Sequence, residues 1–219
     1  GSGLQAILTA ANLIQVGDTD FAVAGGAENM SRAPYLLPSL RWGARMNDAT
    51  MTDMMVGALS DPFDDVHMGI TAENVAKKYG ISREDQDALA VESHHRAQLA
   101  IDHGYFRAQV VPVMIKVKKD TVPFEVDESV RGDATVEKMG KLRPVFDKAG
   151  SVTAGNASSI NDAAAAVVLA DREAAEKRGL KPMGRLVAYS YAGVDPKYMG
   201  IGPVPAVNQL LAKTGFTLD

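Results

Sequence analysis

Eight consecutive residues with wholly apolar side chains, Ala163 to Ala170, constrain the fold more than any other stretch of this chain. The run is too short to cross a bilayer, which takes about 20 apolar residues. It reads instead as a strand buried on both faces, the kind that parallel α/β sheets use. An earlier segment, Phe21-Ala22-Val23-Ala24 before Gly25-Gly26, reads as a second buried strand ending in a tight glycine turn. Ahead of it, Leu4, Ile7, Leu8, Ala11 and Ile14 recur at helical spacing up to Gly17, so a helix feeds a buried strand. The expected class is α/β with a layered core.

The rest of the chain interrupts that core. From about Asn29 to Asp65 the periodicity fades around Pro34, Pro38 and Pro62, and only Met51 to Leu59 reads as helical. Met68 to Tyr79 reads as a helix stopped by Gly80, and Ser82 with Asp85 forms a capping-box pattern opening a long polar helix that ends before Gly104. Val110 to Val117 and Val122 to Val126 read as edge strands carrying Pro112 and Pro123. After Ala170 the pattern predicts a short helix from Asp171 to Arg178, a strand from Leu186 to Tyr191 and a helix from Pro205 to Lys213. An α+β insertion within the layered core is expected.

Composition closes several functional classes. The formal charge of -4 provides no positive field for nucleic acid. No apolar stretch suits a membrane span, and no cationic leader is recognisable, so a cytoplasmic protein is expected. With 0 cysteines among 219 residues, these residues hold no disulfide, thiolate metal site or cysteine nucleophile.

The stretch Thr153-Ala154-Gly155-Asn156-Ala157-Ser158-Ser159-Ile160-Asn161-Asp162 is uncharged until its last residue and built mainly of small side chains. Small residues let a ligand approach the backbone, whose N–H and C=O groups suit an amide-rich chain; a polar turn before a strand is the alternative. His67-Met68-Gly69 stands at a loop-to-helix junction. There His67 either donates to a ligand carbonyl or simply starts the helix, and Met68 either packs a flexible chain or fills the core. His94, His95 and His103 do not match a helical metal pair and are expected on the solvated surface. Arg131 and Arg143 suit a phosphate or adenine, or a surface ion pair. Lys116, Lys118 and Lys119 read as the wet side of a strand, and Gly25-Gly26 and Gly200-Ile201-Gly202 match no nucleotide-binding spacing.

Taken in order, six segments resemble the thiolases, the acetyl-CoA C-acyltransferases that join or split 3-ketoacyl-CoA. They are Gly1-Ser2-Gly3-Leu4-Gln5-Ala6, Ala24-Gly25-Gly26-Ala27-Glu28-Asn29-Met30-Ser31, His67-Met68-Gly69 with Ala72-Glu73-Asn74-Val75-Ala76, Lys141-Leu142-Arg143-Pro144-Val145-Phe146, Thr153 to Asp162, and Gly193-Val194-Asp195-Pro196 with Met199-Gly200. The His-Met-Gly form is more similar to the short-chain biosynthetic type than to the long-chain degradative type. Arg32-Ala33-Pro34-Tyr35 and Arg41-Trp42-Gly43-Ala44-Arg45-Met46 are similar to broad-specificity bacterial β-ketothiolases.

The resemblance implies part of a layered αβαβα core with an inserted α+β loop domain. Residues 1–29 would be the end part of the N-terminal core half, and 30–160 would form the loop domain, with the oligomerisation loop and the CoA-binding surface. Residues 161–180 would return to the N-terminal core, and 181–219 would begin the C-terminal half. In this family the nucleophilic cysteine directly precedes a Gly-Ser-Gly like Gly1 to Gly3, and the Asn-Glu-Ala-Phe segment, the Gly-His-Pro histidine and a second cysteine would lie beyond residue 219. The chain is thus expected to be a fragment with no catalytic residue of its own and no permanently bound cofactor.

Coenzyme A enters as substrate and product. By resemblance His67 and Met68 flank the acyl-pantetheine tunnel, Ser158 contacts the pantetheine arm, and Ala154, Gly155 and Ile160 wall it. Arg131 and Leu142 match positions near the nucleotide end, and Met199 matches a pocket residue. Ser159-Ile160 stands where the family pattern has Gly-Leu. A role in fatty acid metabolism and assembly into a homodimer or homotetramer through the Asn29 to Asp65 stretch are also implied. The alternatives are a non-catalytic CoA-binding or scaffolding module and a relative of the ketoacyl synthases.

Overall fold

The computed structural model of the protein describes residues 1–218. They form two compact units, one of residues 1–65 with the described residues from 160 on and one of residues 66–159.

The first unit begins with helix α1 (Ser2–Gln15), whose Leu8, Ala10 and Ala11 are buried. It leads into strand β1 (Phe21–Asn29), which pairs with β8 (Asp162–Ala170) in antiparallel register from Phe21 opposite Ala170 to Asn29 opposite Asp162. Three expectations are corrected by this pair. Gly25-Gly26 makes no turn, because both glycines lie inside β1. Their smallness serves close approach: a Cβ on Gly25 would stand 2.3 Å from the Ala165 carbonyl oxygen, and Gly26 abuts Gly3 of α1. The Ala163 to Ala170 run is antiparallel rather than parallel, and it is largely exposed rather than buried. Among the described residues α1 packs against this ribbon, whereas the cross-strand pair Val23 and Val168 keeps 75% and 71% of its surface in solvent.

Where β1 meets β8, the Ser31 hydroxyl and amide both donate to the Asp162 carboxylate. Those bonds, the hydroxyl first, hold the Asp162 carboxyl below its ordinary value of 3.8. The folded group therefore titrates below the unfolded one, so the stabilisation is present above 3.8 and is lost as pH falls through the lower folded value. Ser31→Ala is expected to raise the Asp162 midpoint towards 3.8 in a carboxyl NMR titration; an unmoved midpoint would refute the assignment.

Between Asn29 and Asp65 the chain makes two 3-10 turns (Met30–Arg32 and Pro38–Trp42) and a ladder of β2 (Tyr35–Leu36) with β3 (Thr52–Asp53). Helix α2 (Met54–Ala58) follows, with the Asp53 carboxylate accepting from the Met55 amide, and then the short β4 (Ser60–Asp61). The helix is shorter than the Met51 to Leu59 segment predicted for it.

The second unit starts with β5 (Val66–His67) and helix α3 (Met68–Tyr79), which stops at Gly80 in the left-handed conformation (φ 63°). Helix α4 (Arg83–Asp102) opens on the predicted capping box. The hairpin β6 (Val113–Val117) and β7 (Asp120–Phe124) carries Pro123 opposite Met114, and α5 (Val136–Gly140) follows. Val91 of α4, Ala134 and Met139 form the buried core of this unit.

Back in the first unit, α6 (Arg172–Lys177) is capped by Asp171, and α7 (Pro203–Thr214) ends at left-handed Gly215. Leu186 to Tyr191 forms no strand. The segment meets no ladder partner among the described residues and is tied to α7 instead: Ser190 Oγ donates to the Ala206 carbonyl at 2.6 Å and Lys213 Nζ to the Tyr189 carbonyl at 3.4 Å.

Candidate functional site

The uncharged loop lies in the second unit as far as Ser159, and neighbouring helices decide the path of that part. His67 caps α3, its Nδ1 accepting from the Gly69 amide at 3.0 Å, so the neutral ring carries its proton on Nε2. The ring stacks on Phe146 with centroids 4.6 Å apart. Gly69 is buried against the Phe146 ring, and a Cβ there would stand 2.2 Å from Phe146 Cδ2. Gly69→Ala is therefore expected to displace Phe146 from His67 and to cost about 1–3 kcal/mol, measured by thermal unfolding. A variant as stable as its parent would show that Phe146 swings aside freely.

From Phe146 the chain runs back along the loop. Val145 donates its amide to the Val152 carbonyl at 3.0 Å, and Pro144 bridges to Thr153. Thr153 is 0% exposed. Its carbonyl accepts from the Ala157 amide, and its hydroxyl accepts from Gly155, closing a tight turn. Gly155 rests against Leu142 and Met139, with room for no side chain: a Cβ would lie 2.5 Å from both Leu142 Cδ1 and Met139 Sδ. The small residues Ala154, Ala157 and Ser158 are exposed.

The structure thus places His67 against Phe146 and, separately, Gly155 against Leu142 and Met139, while Met68 is exposed at the start of α3. Arg131 is held elsewhere on the unit, its amide donating to His94 Nδ1 at 3.2 Å. Ile160 and Met199 belong to the first unit, both exposed. Arg143 is exposed as well.

His95 and His103 are exposed, as expected, and His94 is half-buried; each also holds a hydrogen bond to the backbone. His95 Nε2 donates to the Ala134 carbonyl at 2.9 Å and His103 Nδ1 to the Leu99 carbonyl at 2.8 Å, since a carbonyl can only accept. Beside them Lys138 bonds the exposed Asp133 carboxylate and holds it below its ordinary value.

No local sequence pattern gives Asp87, Glu73 or Asn156 a role; the structure does. Glu73 of α3 accepts from the amides of Ser151 and Val152, and Asn156 donates to Asp87 of α4. No metal-binding group of His, Cys, Asp or Glu forms among the described residues. Chemically the loop offers a shaped, uncharged surface with polar backbone and no nucleophile, suited to an extended amide-containing chain.

Residues 1–173 match the thiolase N-terminal domain and residues 180–219 the thiolase C-terminal domain. The chain belongs to the thiolase family. It is 64% identical over 220 aligned residues to the beta-ketothiolase BktB of Cupriavidus necator, covering 100% of this chain and 56% of that protein. It is 51% identical to the acetyl-CoA acetyltransferase of Syntrophomonas wolfei, with the same coverage. The crystal structure of Bacillus anthracis acetyl-CoA acetyltransferase superposes with a TM-score of 0.95 at 49% identity, covering 99% of this chain and 55% of that one. A human mitochondrial 3-ketoacyl-CoA thiolase solved in complex with CoA gives 0.92 at 42% identity, covering 100% and 54%. The chain therefore spans about half the length of the thiolases it matches. Membership places it with the thiolases rather than the ketoacyl synthases, and the fold is the thiolase-like α/β fold.

Proposed function

We propose that the complete protein is an acetyl-CoA C-acyltransferase, performing Claisen condensation of short-chain acyl-CoA and its thiolytic reverse. The observation that carries this reading is the small-residue loop at 151–159, built onto α3 and α4 in a chain of the thiolase family. The relatives named acetyl-CoA acetyltransferase and beta-ketothiolase support the same reaction.

In this reading the family cysteine preceding Gly1-Ser2-Gly3 gains thiolate character from the N-terminal field of α1 and forms the acyl-enzyme. Covalent catalysis divides acyl transfer into two easier steps. The residues of this chain bind and orient: Ser158, Ala154, Gly155 and Ile160 receive the pantetheine arm, His67 and Met68 border the acyl group, Arg131 and Leu142 lie towards the nucleotide, and Met199 lines the pocket. Coenzyme A is substrate and product, with no resident cofactor. The division into core halves at 1–29, 161–180 and 181–219 around a loop domain at 30–160 is part of the same proposal.

Assembly into a homotetramer, a cytoplasmic location and a role in fatty acid metabolism complete it. Leu40, Trp42 and Met46, all exposed between Asn29 and Asp65, support the assembly reading as apolar side chains suited to burial between subunits. Assay of the complete protein with acetoacetyl-CoA and CoA tests the activity, and absence of thiolysis by a folded preparation would refute it. Light scattering on the same sample tests the assembly.

A further inference from the structure

Asp87 is 2% exposed and stays paired: its Oδ2 accepts from Arg83 Nε at 2.8 Å and its Oδ1 from Asn156 Nδ2 at 2.9 Å. Taking an ion pair out of water costs nearly as much as the pair returns, and apolar replacements of buried pairs are often neutral or stabilising. Stability is thus a poor reason for keeping this one, and its partners offer a better reason. Asn156 spends its second amide hydrogen on the Ser151 carbonyl and accepts from the Thr153 amide at 2.7 Å. The Arg83 guanidinium reaches the other way, donating to the carbonyls of Met139 at 2.7 Å and Leu142 at 3.1 Å. Those are the two residues on which Gly155 rests. One buried pair therefore fixes both the turn and the wall behind it.

A second anchor acts from α3. The Glu73 carboxylate accepts from the Ser151 amide, the Val152 amide at 2.7 Å and the Ser151 hydroxyl, which also accepts from Gln86 Nε2 at 2.9 Å. A Cβ on Gly150 would meet Glu73 Oε1 at 2.3 Å, so the strand of chain entering the loop passes directly over the carboxylate. Each anchored atom lies on the scaffold side of a loop whose exposed residues, Ala154, Ala157 and Ser158, carry almost no functional group of their own. Such a surface recognises a ligand through the placement of its backbone.

We propose that Asp87, acting through Asn156, is a positioning residue for the coenzyme A pantetheine arm, with Arg83 and Glu73 as its supports. The inference rests on the reading of this loop as the CoA surface. Its experiment uses the complete protein, with CoA affinity measured by calorimetry and loop amides followed by hydrogen exchange for wild type, Asp87→Asn, Asn156→Ala and Ser151→Ala. Asp87→Asn keeps the shape and removes the charge. It is expected to weaken CoA binding about tenfold, the loss of one hydrogen bond to the ligand. The change should fall on KM for CoA with kcat altered less than about threefold, and the Thr153 and Gly155 amides should lose protection. Ser151→Ala removes one hydroxyl from the separate Glu73 support and is expected to weaken binding about threefold. Asn156→Ala keeps the Arg83–Asp87 pair, cuts its link to the loop and is expected to weaken binding about tenfold, so it decides the matter even if Asp87→Asn does not fold.

Unchanged CoA affinity in a variant whose loop amides have lost protection overturns the proposal. So does weakened affinity with full protection, since the residue would then act by another route. A wild-type protein that binds no CoA overturns the reading of the site and this inference together, whereas normal wild-type binding with unaffected variants overturns the inference alone.

Discussion

Replacing Asp87 by alanine is expected to lower the folding stability of the protein by about 3 kcal/mol. Truncation leaves the Arg83 Nε and one Asn156 amide hydrogen without their acceptor in a nearly closed site. The Arg83 side chain is 20% exposed and keeps its bonds to Met139 and Leu142, which places the loss at the low end of the range for broken buried pairs. Urea unfolding followed by circular dichroism reads it as a lower midpoint at an unchanged slope. A loss below about 1 kcal/mol would mean that water reaches the pair and solvates the orphaned cation. Alanine here measures what the scaffold needs, and asparagine at the same position isolates what the loop's shape contributes.

The second large effect belongs to the other unit. Gly25→Ala is expected to cost about 3 kcal/mol or more, because the new Cβ would meet the Ala165 carbonyl oxygen at 2.3 Å and the Ala166 Cα at 3.0 Å. Both obstacles are backbone, so no side chain can rotate away and the β1–β8 ladder itself must shift. Gly26→Ala is the control. Its Cβ would meet Gly3 Cα at 3.5 Å, an ordinary contact, and the expected change stays within about 0.5 kcal/mol. Equal melting temperatures for the two variants would defeat the explanation.

Those adjacent glycines show what can be read from a sequence and what cannot. Helix ends obey local rules, so Gly80 and the Ser82–Asp85 capping box mark real boundaries. The meaning of Gly25 depends on Ala165, far away in sequence, and a Gly-Gly pair looks the same in a turn as in a crowded strand. Strand direction is likewise a property of a pair. The Ala163 to Ala170 run announced a strand correctly, but its antiparallel partner and its exposure came only with β1 beside it.

The candidate site divides in the same manner. The loop from Thr153 was visible through its small, uncharged composition, whereas its anchors Asp87 and Glu73 lie 69 and 78 residues from their partners. Arg83 and Asp87 are spaced like an ordinary surface ion pair on a polar helix, and no local pattern separates a solvated pair of that kind from a buried one. Family resemblance implies residues for the ligand-facing side of the loop and stays silent on those behind them.

The bracing of the loop also bears on kinetics. A segment already fixed by Glu73, Asp87 and the Thr153 turn has little freedom left to surrender when a ligand arrives. Encounter then requires no slow ordering step, and ligands sharing the same arm should associate at similar rates. Differences among them would be expressed in how long each one stays.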